Sequence, residues 1–137
     1  MDTLQFDAAR EGDEFPHLKL PPITRLQLAL YCGGSGDHNP IHVDSDFARA
    51  AGMKDVFAHG MLSMCFMARL VTQFVSPARV KSFGVRFVAI SWVGDEITVG
   101  GRVSAVDRQA KQLTLELRCL NQRGEPTLQG NATVSYA

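Results

Sequence analysis

Little in this chain is in excess. Its three cysteines, Cys32, Cys65 and Cys119, are odd in number, far apart and outside any CxxC pair, so neither a disulfide framework nor a zinc site is implied, and a reducing cytoplasm is the expected compartment. Lys plus Arg equals Asp plus Glu at 14 each. That balance gives no basic field to gather nucleic acid or anionic lipid, and no acidic tail. The first residues, Met1 to Asp7, lack the basic-then-apolar order of a signal peptide, and Arg69 interrupts the longest apolar run, so no membrane-spanning segment is expected. Glycines at 33, 34 and 36 are not followed by the Lys-Ser/Thr pair of a phosphate loop, which excludes nucleotide triphosphate binding of that type. No Asp or Glu occurs between Asp55 and Asp95.

What is present suits one compact domain over residues 1–137, with 45% hydrophobic residues to fill a single core. Residues 1–22 read as an extended arm with a turn at Glu11-Gly12-Asp13 and a short strand from Glu14 to Leu20, ended by Pro21-Pro22. Thr24-Arg25-Leu26-Gln27 is a capping-box pattern with Ile23 and Leu28 as its hydrophobic staple, which predicts a helix over about 25–32 stopped by the three glycines. Asp44-Ser45-Asp46 supplies caps for a short helix over Phe47 to Ala51 closed by Gly52. Gly60 to Val75 is apolar on nearly every face and stops at Ser76-Pro77, the pattern of a buried helix. Beyond it, four alternating stretches centred on Phe83–Ala89, Ile97–Ala105, Leu113–Cys119 and Leu128–Tyr136 predict an antiparallel meander. A helix and a one-faced sheet can each cover the other, so the expected class is α+β, with the sheet curled around one long central helix.

The chemistry concentrates in Gly36-Asp37-His38-Asn39-Pro40-Ile41-His42, facing the start of the helix at Ala58-His59-Gly60. Pro40 fixes its own φ and biases Asn39 towards extended geometry, so the loop has a defined shape. A carboxylate and an imidazole on such a loop can grip one water from two sides, the arrangement needed to add or remove water. Asp37 can take the proton of the attacking water, while His42, a side chain of the type that titrates near neutrality, holds the same water and carries a proton to the neighbouring carbon. A helix opening at Gly60 offers free N–H groups and a favourable dipole to a developing oxyanion.

Ser35 to Asp44, Phe47-Ala48 and Ala58-His59-Gly60-Met61-Leu62 together resemble the signature of the MaoC-like hydratases, which include (R)-specific enoyl-CoA hydratases and (3R)-hydroxyacyl carrier-protein dehydratase subunits. The resemblance spans roughly residues 31–70. It implies a hot-dog fold, a homodimer or a heterodimer with another hot-dog protomer, and reversible hydration of a trans-2-enoyl thioester, on CoA or a carrier protein, to the (R)-3-hydroxyacyl product. It implies Asp37 and His42 as the catalytic pair and the Gly60 N–H as the oxyanion donor. Asn39 and Pro40 hold the loop, and Ser63 lines the pocket. No cofactor or metal is implied, since CoA or phosphopantetheine is part of the substrate.

Plainer readings compete at each position. Asp37 alone is an Asx-turn residue, Asn39-Pro40 a turn, Asp44 and Asp46 caps rather than ligands, and His17 a surface residue. His59 is expected to set the start of the helix through a hydrogen bond, and Met61, Met64 and Met67 to be core or to line an acyl channel. The Asp37, Asn39, Asp44, Asp46 series fails as a calcium loop for want of its glycine and bidentate acid. A hot-dog thioesterase would carry its carboxylate on the central helix, where none occurs. A non-catalytic subunit would need neither Asp37 nor His42, and a carrier-protein docking module would need a basic patch, for which Arg79, Lys81 and Arg86 are the candidates.

Overall fold

The structure, a computed structural model, describes residues 3–137. Its elements are β1 (Leu18–Lys19), α1 (Arg25–Ser35), α2 (Ser45–Ala50), α3 (Gly60–Phe74), β2 (Val80–Phe87), β3 (Thr98–Asp107), β4 (Gln112–Leu120) and β5 (Pro126–Ser135). All strands join one antiparallel sheet in the order β1-β3-β4-β5-β2. The inward residues of β4, Leu113, Leu115, Leu117 and Cys119, are fully buried and meet Leu62, Phe66, Met67, Leu70 and Val71 of α3 in one core. The α+β class and a sheet laid around one long helix follow as expected.

Sheet order departs from the expected meander. β3, β4 and β5 are consecutive hairpins, but β2 pairs with β5, with Phe83 opposite Ala132 and Phe87 opposite Leu128. Residues 88–97 therefore carry the chain from one side of the sheet to the other, held on the way by a bridge between Trp92 and Phe57. Alternation reports which face a residue takes and is silent about which strand lies beside it. The strand expected over Glu14 to Leu20 shrinks to Leu18–Lys19 plus an isolated bridge from Glu14 to Arg102, because Pro16 has no N–H to give a ladder.

Helix boundaries shift for equally local reasons. The Thr24 hydroxyl accepts from the Gln27 N–H as the capping box predicts. α1, however, runs through Gly33 and Gly34 and ends at Gly36, whose φ of +76° is closed to most residues. Two glycines cost a helix about 1 kcal/mol each against alanine, and the burial of Leu28 and Cys32 outweighs that. α2 starts earlier than predicted because Asp44 itself caps it, accepting from the N–H groups of Asp46 and Phe47 at 2.9 and 3.0 Å.

α3 is not buried all round. Leu62, Phe66, Met67 and Leu70 face the sheet, while Met61 is 56% exposed and Cys65 and Arg69 also face out. A five-stranded sheet covers one side of a helix only, so the apolar residues on the other side of α3 stand open and Met61 is not core. Contact with the sheet is close: a Cβ at Gly130 would lie 2.7 Å from the Met67 sulfur and 2.7 Å from the Gly84 carbonyl oxygen. Only a residue without one fits.

Candidate active site

The loop that follows α1 is built from short side-chain to backbone bonds. Ser35 Oγ accepts from the Asp37 N–H at 3.1 Å, an Asp37 carboxylate oxygen accepts from the Asn39 N–H at 3.3 Å, and the Asn39 side-chain oxygen accepts from the Ile41 N–H at 3.1 Å. Asn39 thereby caps a single 3-10 turn over Pro40–His42, with the proline at the position where a missing N–H costs nothing. Asp37 remains exposed at the mouth of the loop, and the turn swings His42 inward to 8% exposure.

Two hydrogen bonds then tie this loop to the segment leading into α3. His42 Nδ1 lies 2.8 Å from the Phe57 carbonyl oxygen, and His59 Nε2 lies 3.2 Å from the Asp37 carbonyl oxygen. A carbonyl only accepts, so His42 donates from Nδ1 and His59 donates from Nε2. Neutral His42 is left with its lone pair on Nε2. The two imidazoles stack, with centroids 3.9 Å apart and planes at 27°, and the edge of Phe57 meets His42 while Tyr31 packs on His59 at 4.8 Å. One polar atom from each of Asp37, His42 and His59 falls within a cluster no wider than 4.8 Å.

The electrostatics of the cluster follow from this packing. His59 is 1% exposed, and burial, followed by the positive charge His42 would carry, holds its imidazole below the usual histidine range despite the bond to Asp37. Its Nδ1 has no partner among the described residues, a desolvation cost of about 1–3 kcal/mol. Burial also raises the Tyr31 phenol, helped by the nearby Cys65 thiol and Asp37 carboxylate.

α3 starts at Gly60 without a side-chain cap; the His59 carbonyl accepts from the Leu62 and Ser63 N–H groups. The N–H groups at the very start of a helix have no acceptor within it. That of Gly60 is adjacent in sequence to His59 and so beside the cluster. A Cβ at Gly60 would meet the ring of Phe87 at 3.0 Å, so the bare backbone and the half-exposed phenyl ring form one surface. Ser63 is buried one turn further along the helix.

The structure thus brings one atom each of Asp37 and His42 into the cluster, Asn39 and Pro40 shape the loop, and Gly60 opens the helix directly after His59. Read from the sequence alone, Tyr31, Phe57 and Phe87 have no part in the site and His59 only a part at the helix start. His59 was expected to act at the helix start by a hydrogen bond, and it does make one, but across 22 residues to Asp37 and from within the cluster. Phe87 continues the alternation of Phe83 and Val85, so the sequence offered no signal that its ring would stand half-exposed against Gly60.

Three clustered donors also pose the question of a metal, which the linear spacing did not suggest. Each imidazole already spends one nitrogen on a backbone carbonyl, and the rings lie nearly face to face, so their lone pairs lie in nearly parallel planes. A first-row ion needs them to converge at about 2.0–2.1 Å. The donor set fits a held water better than an ion.

Residues 7–119 match the family model described as the MaoC like domain. The chain belongs to this family. It is 30% identical to an (R)-specific enoyl-CoA hydratase of Rhodospirillum rubrum, over 94% of this chain and 89% of that protein. A solved MaoC-like dehydratase superposes on 98% of the chain with a TM-score of 0.91 at 30% identity, and there the chain spans only 43% of the longer protein. A chain of the ChsH1-ChsH2 complex from Mycobacterium tuberculosis superposes on 92% of this chain, and 97% of its own length, with a TM-score of 0.82 at 26% identity. These MaoC-like structures share the hot-dog arrangement described above, a sheet around one helix.

Proposed function

We propose that this chain carries the hydratase activity of its family, adding water to a trans-2-enoyl thioester to give the (R)-3-hydroxyacyl thioester, and reversing that reaction. The observation that carries the reading is the pairing of the Asp37 carboxylate with a His42 whose Nδ1–H is fixed on the Phe57 carbonyl, so that two acceptors face one small volume. A water there donates one hydrogen to each. Its oxygen attacks C3 as one of its two protons leaves to Asp37. That proton passes through His42 to C2 while the other stays on the new hydroxyl. The elements of water are thus added, both side chains end as they began, and no redox step is needed. Acid–base groups positioned in this way contribute typically ~10²–10⁴-fold.

Charge that develops on the thioester oxygen needs donors held in place beforehand. The uncapped start of α3 offers the Gly60 N–H, and one such donor is worth about 3–4 kcal/mol in comparable sites. Phe87 and the outward Met61 give the acyl chain apolar surface near that point. The substrate brings its own CoA or phosphopantetheine arm, and the reaction as read here needs no further cofactor and no metal. The absence of any carboxylate on α3 argues against the thioesterase alternative.

The partner is another hot-dog protomer, either a copy of this chain or a different one. Two features support this: the uncovered apolar side of α3, and β2 as a long edge strand with unpaired backbone groups on its outer side. Among the described residues no helix is long and apolar enough to cross a membrane, and the free thiols suit a reducing cytoplasm. The test is loss of the conjugated enoyl-thioester absorbance on a series of trans-2-enoyl-CoA chain lengths, with chiral analysis of the product. An (R)-3-hydroxyacyl product from the chain alone supports the reading. Activity that needs another hot-dog subunit, and is indifferent to Asp37→Asn and His42→Gln in this chain, replaces it with that of a pocket-building subunit.

A further inference from the structure

We infer that His59 is a positioning residue that fixes the distance between the water-holding loop and the oxyanion donor, an inference that rests on the hydratase reading above. His59 joins both halves of the site, its side chain reaching the loop and its backbone opening the helix. Nε2–H donates to the Asp37 carbonyl at 3.2 Å, and the residue's own backbone leads directly into Gly60. The reciprocal bond, from His42 in the loop to Phe57 ahead of the helix at 2.8 Å, makes the joint a pair of crossed ties. Between the two ties the rings stack at 3.9 Å.

The unpartnered Nδ1 says why a histidine is there at all. A phenyl ring would fill the same buried space against Tyr31 and His42 without leaving a lone pair out of contact. What the imidazole adds over a phenyl ring is the Nε2–H bond. That bond requires the neutral Nε2–H tautomer, because a second proton on Nδ1 would be a buried charge with nothing to accept it, 3.9 Å from a His42 that must itself take up a proton. The other titratable groups around the ring are Asp37 and Tyr31, with Cys65 beside Tyr31. The neutral ring thus leaves His42 free to become the cation of the pair.

The experiment compares wild type with His59→Phe and His59→Gln in the full chain. His59→Phe keeps the stack and removes the bond. It should lower kcat by about 10–100-fold with KM little changed, as expected for a small misplacement of a general base. His59→Gln, which retains a donor, should recover part of the loss. In an Asp37→Asn background His59→Phe should add almost nothing, because the group it positions is already gone. A merely structural role would instead show equal losses in both backgrounds together with a lower Tm, and that result overturns the inference, as does a kcat for His59→Phe within about threefold of wild type. Nitrogen-15 NMR of the imidazoles gives a readout that does not need turnover. His59 should stay in the Nε2–H tautomer between about pH 5 and 8, and His59→Phe should move the Asp37 and Asn39 amide resonances but not those of β3 to β5. A cationic or Nδ1–H ring at neutral pH overturns the inference even if the chain is an active hydratase, whereas the expected spectra with no hydration by wild type count against the hydratase reading alone.

Discussion

At its C-terminal end α3 is shut. The Phe74 carbonyl accepts from the backbone N–H groups of Thr3 and Leu4 at 3.0 and 3.1 Å, Phe15 stacks on the Phe74 ring at 5.2 Å, and the Tyr136 hydroxyl donates to the Leu4 carbonyl at 2.7 Å. At its N-terminal end the same helix has no side-chain cap, a glycine where a larger residue would meet Phe87, and an exposed carboxylate beside two stacked histidines, one with an unpartnered nitrogen. One end ties its last carbonyl and ring to the arm, as a fold needs. The other leaves donors and acceptors unused, which destabilises a fold and is what a substrate needs. The arm over residues 3–20 thus serves stability, and under the hydratase reading the loop over 36–42 serves chemistry.

That contrast can be broken hardest at the open end. Asp37→Asn and His42→Gln should each cost at least ~10²-fold in turnover with Tm unchanged, and the double variant should be little worse than the worse single one, since both remove the same held water. Multiplicative losses would mean the two side chains act in separate steps. At the closed end the prediction inverts. Phe15→Ala should lower unfolding free energy by about 3 kcal/mol or more, seen in urea denaturation, with kcat at a permissive temperature unaltered. A loss of kcat without a loss of stability would dissolve the distinction between the ends.

Gly60→Ala is a smaller perturbation that asks what the bare backbone is for. Its Cβ would press on the Phe87 ring at 3.0 Å, and turnover should fall by about tenfold or more with the fold retained. Adding Phe87→Ala relieves the contact; turnover should stay low if the space belongs to the thioester carbonyl and return if it belongs only to the ring.

Acid should loosen the molecule between the ends. Asp55 accepts from the Ser45 hydroxyl, the Val56 N–H and the Arg25 guanidinium, which hold its carboxyl down from 3.8 to about 2. A depressed carboxylate stabilises above its unfolded value and loses that contribution as pH falls towards about 2. Asp55→Asn should therefore flatten the decline of Tm between about pH 4 and 2. Smallest of all, Asp44→Asn should cost about 1 kcal/mol or less of cap and dipole energy, measured by thermal unfolding, with turnover intact.

The sequence was most legible where a property is local. Alternation placed the inward face of β4 and most of those of β3 and β5, the capping box located the start of α1, and the Asp37 to His42 spacing pointed to the loop; past the register shift after Val103 the inward residue is Val106 instead of Ala105, and Phe87 and Ala89 stand exposed. It was least legible where two distant segments meet. Nothing in the pattern of Val80 to Phe87 distinguishes β5 from β3 as its neighbour. His59 lies 22 positions from Asp37, and its part in the site exists only once the crossed ties form. Met61 resembled core because hydropathy reports what a side chain prefers; whether the sheet reaches it depends on the number of strands.

The contact between Gly130 and Met67 has a mechanical meaning for the far end of the helix. The Met67 thioether and the Gly84 carbonyl occupy the place a methyl on β5 would take, so α3 sits close against the sheet at that level. Seven residues separate Met67 from Gly60, about 10 Å of rigid rod. Under the hydratase reading, the height of the Gly60 N–H above the sheet is thus referred to a datum deep in the core, where a single added carbon would act as a shim. Tolerances usually assigned to an active site extend, along this rod, to a glycine in the middle of β5.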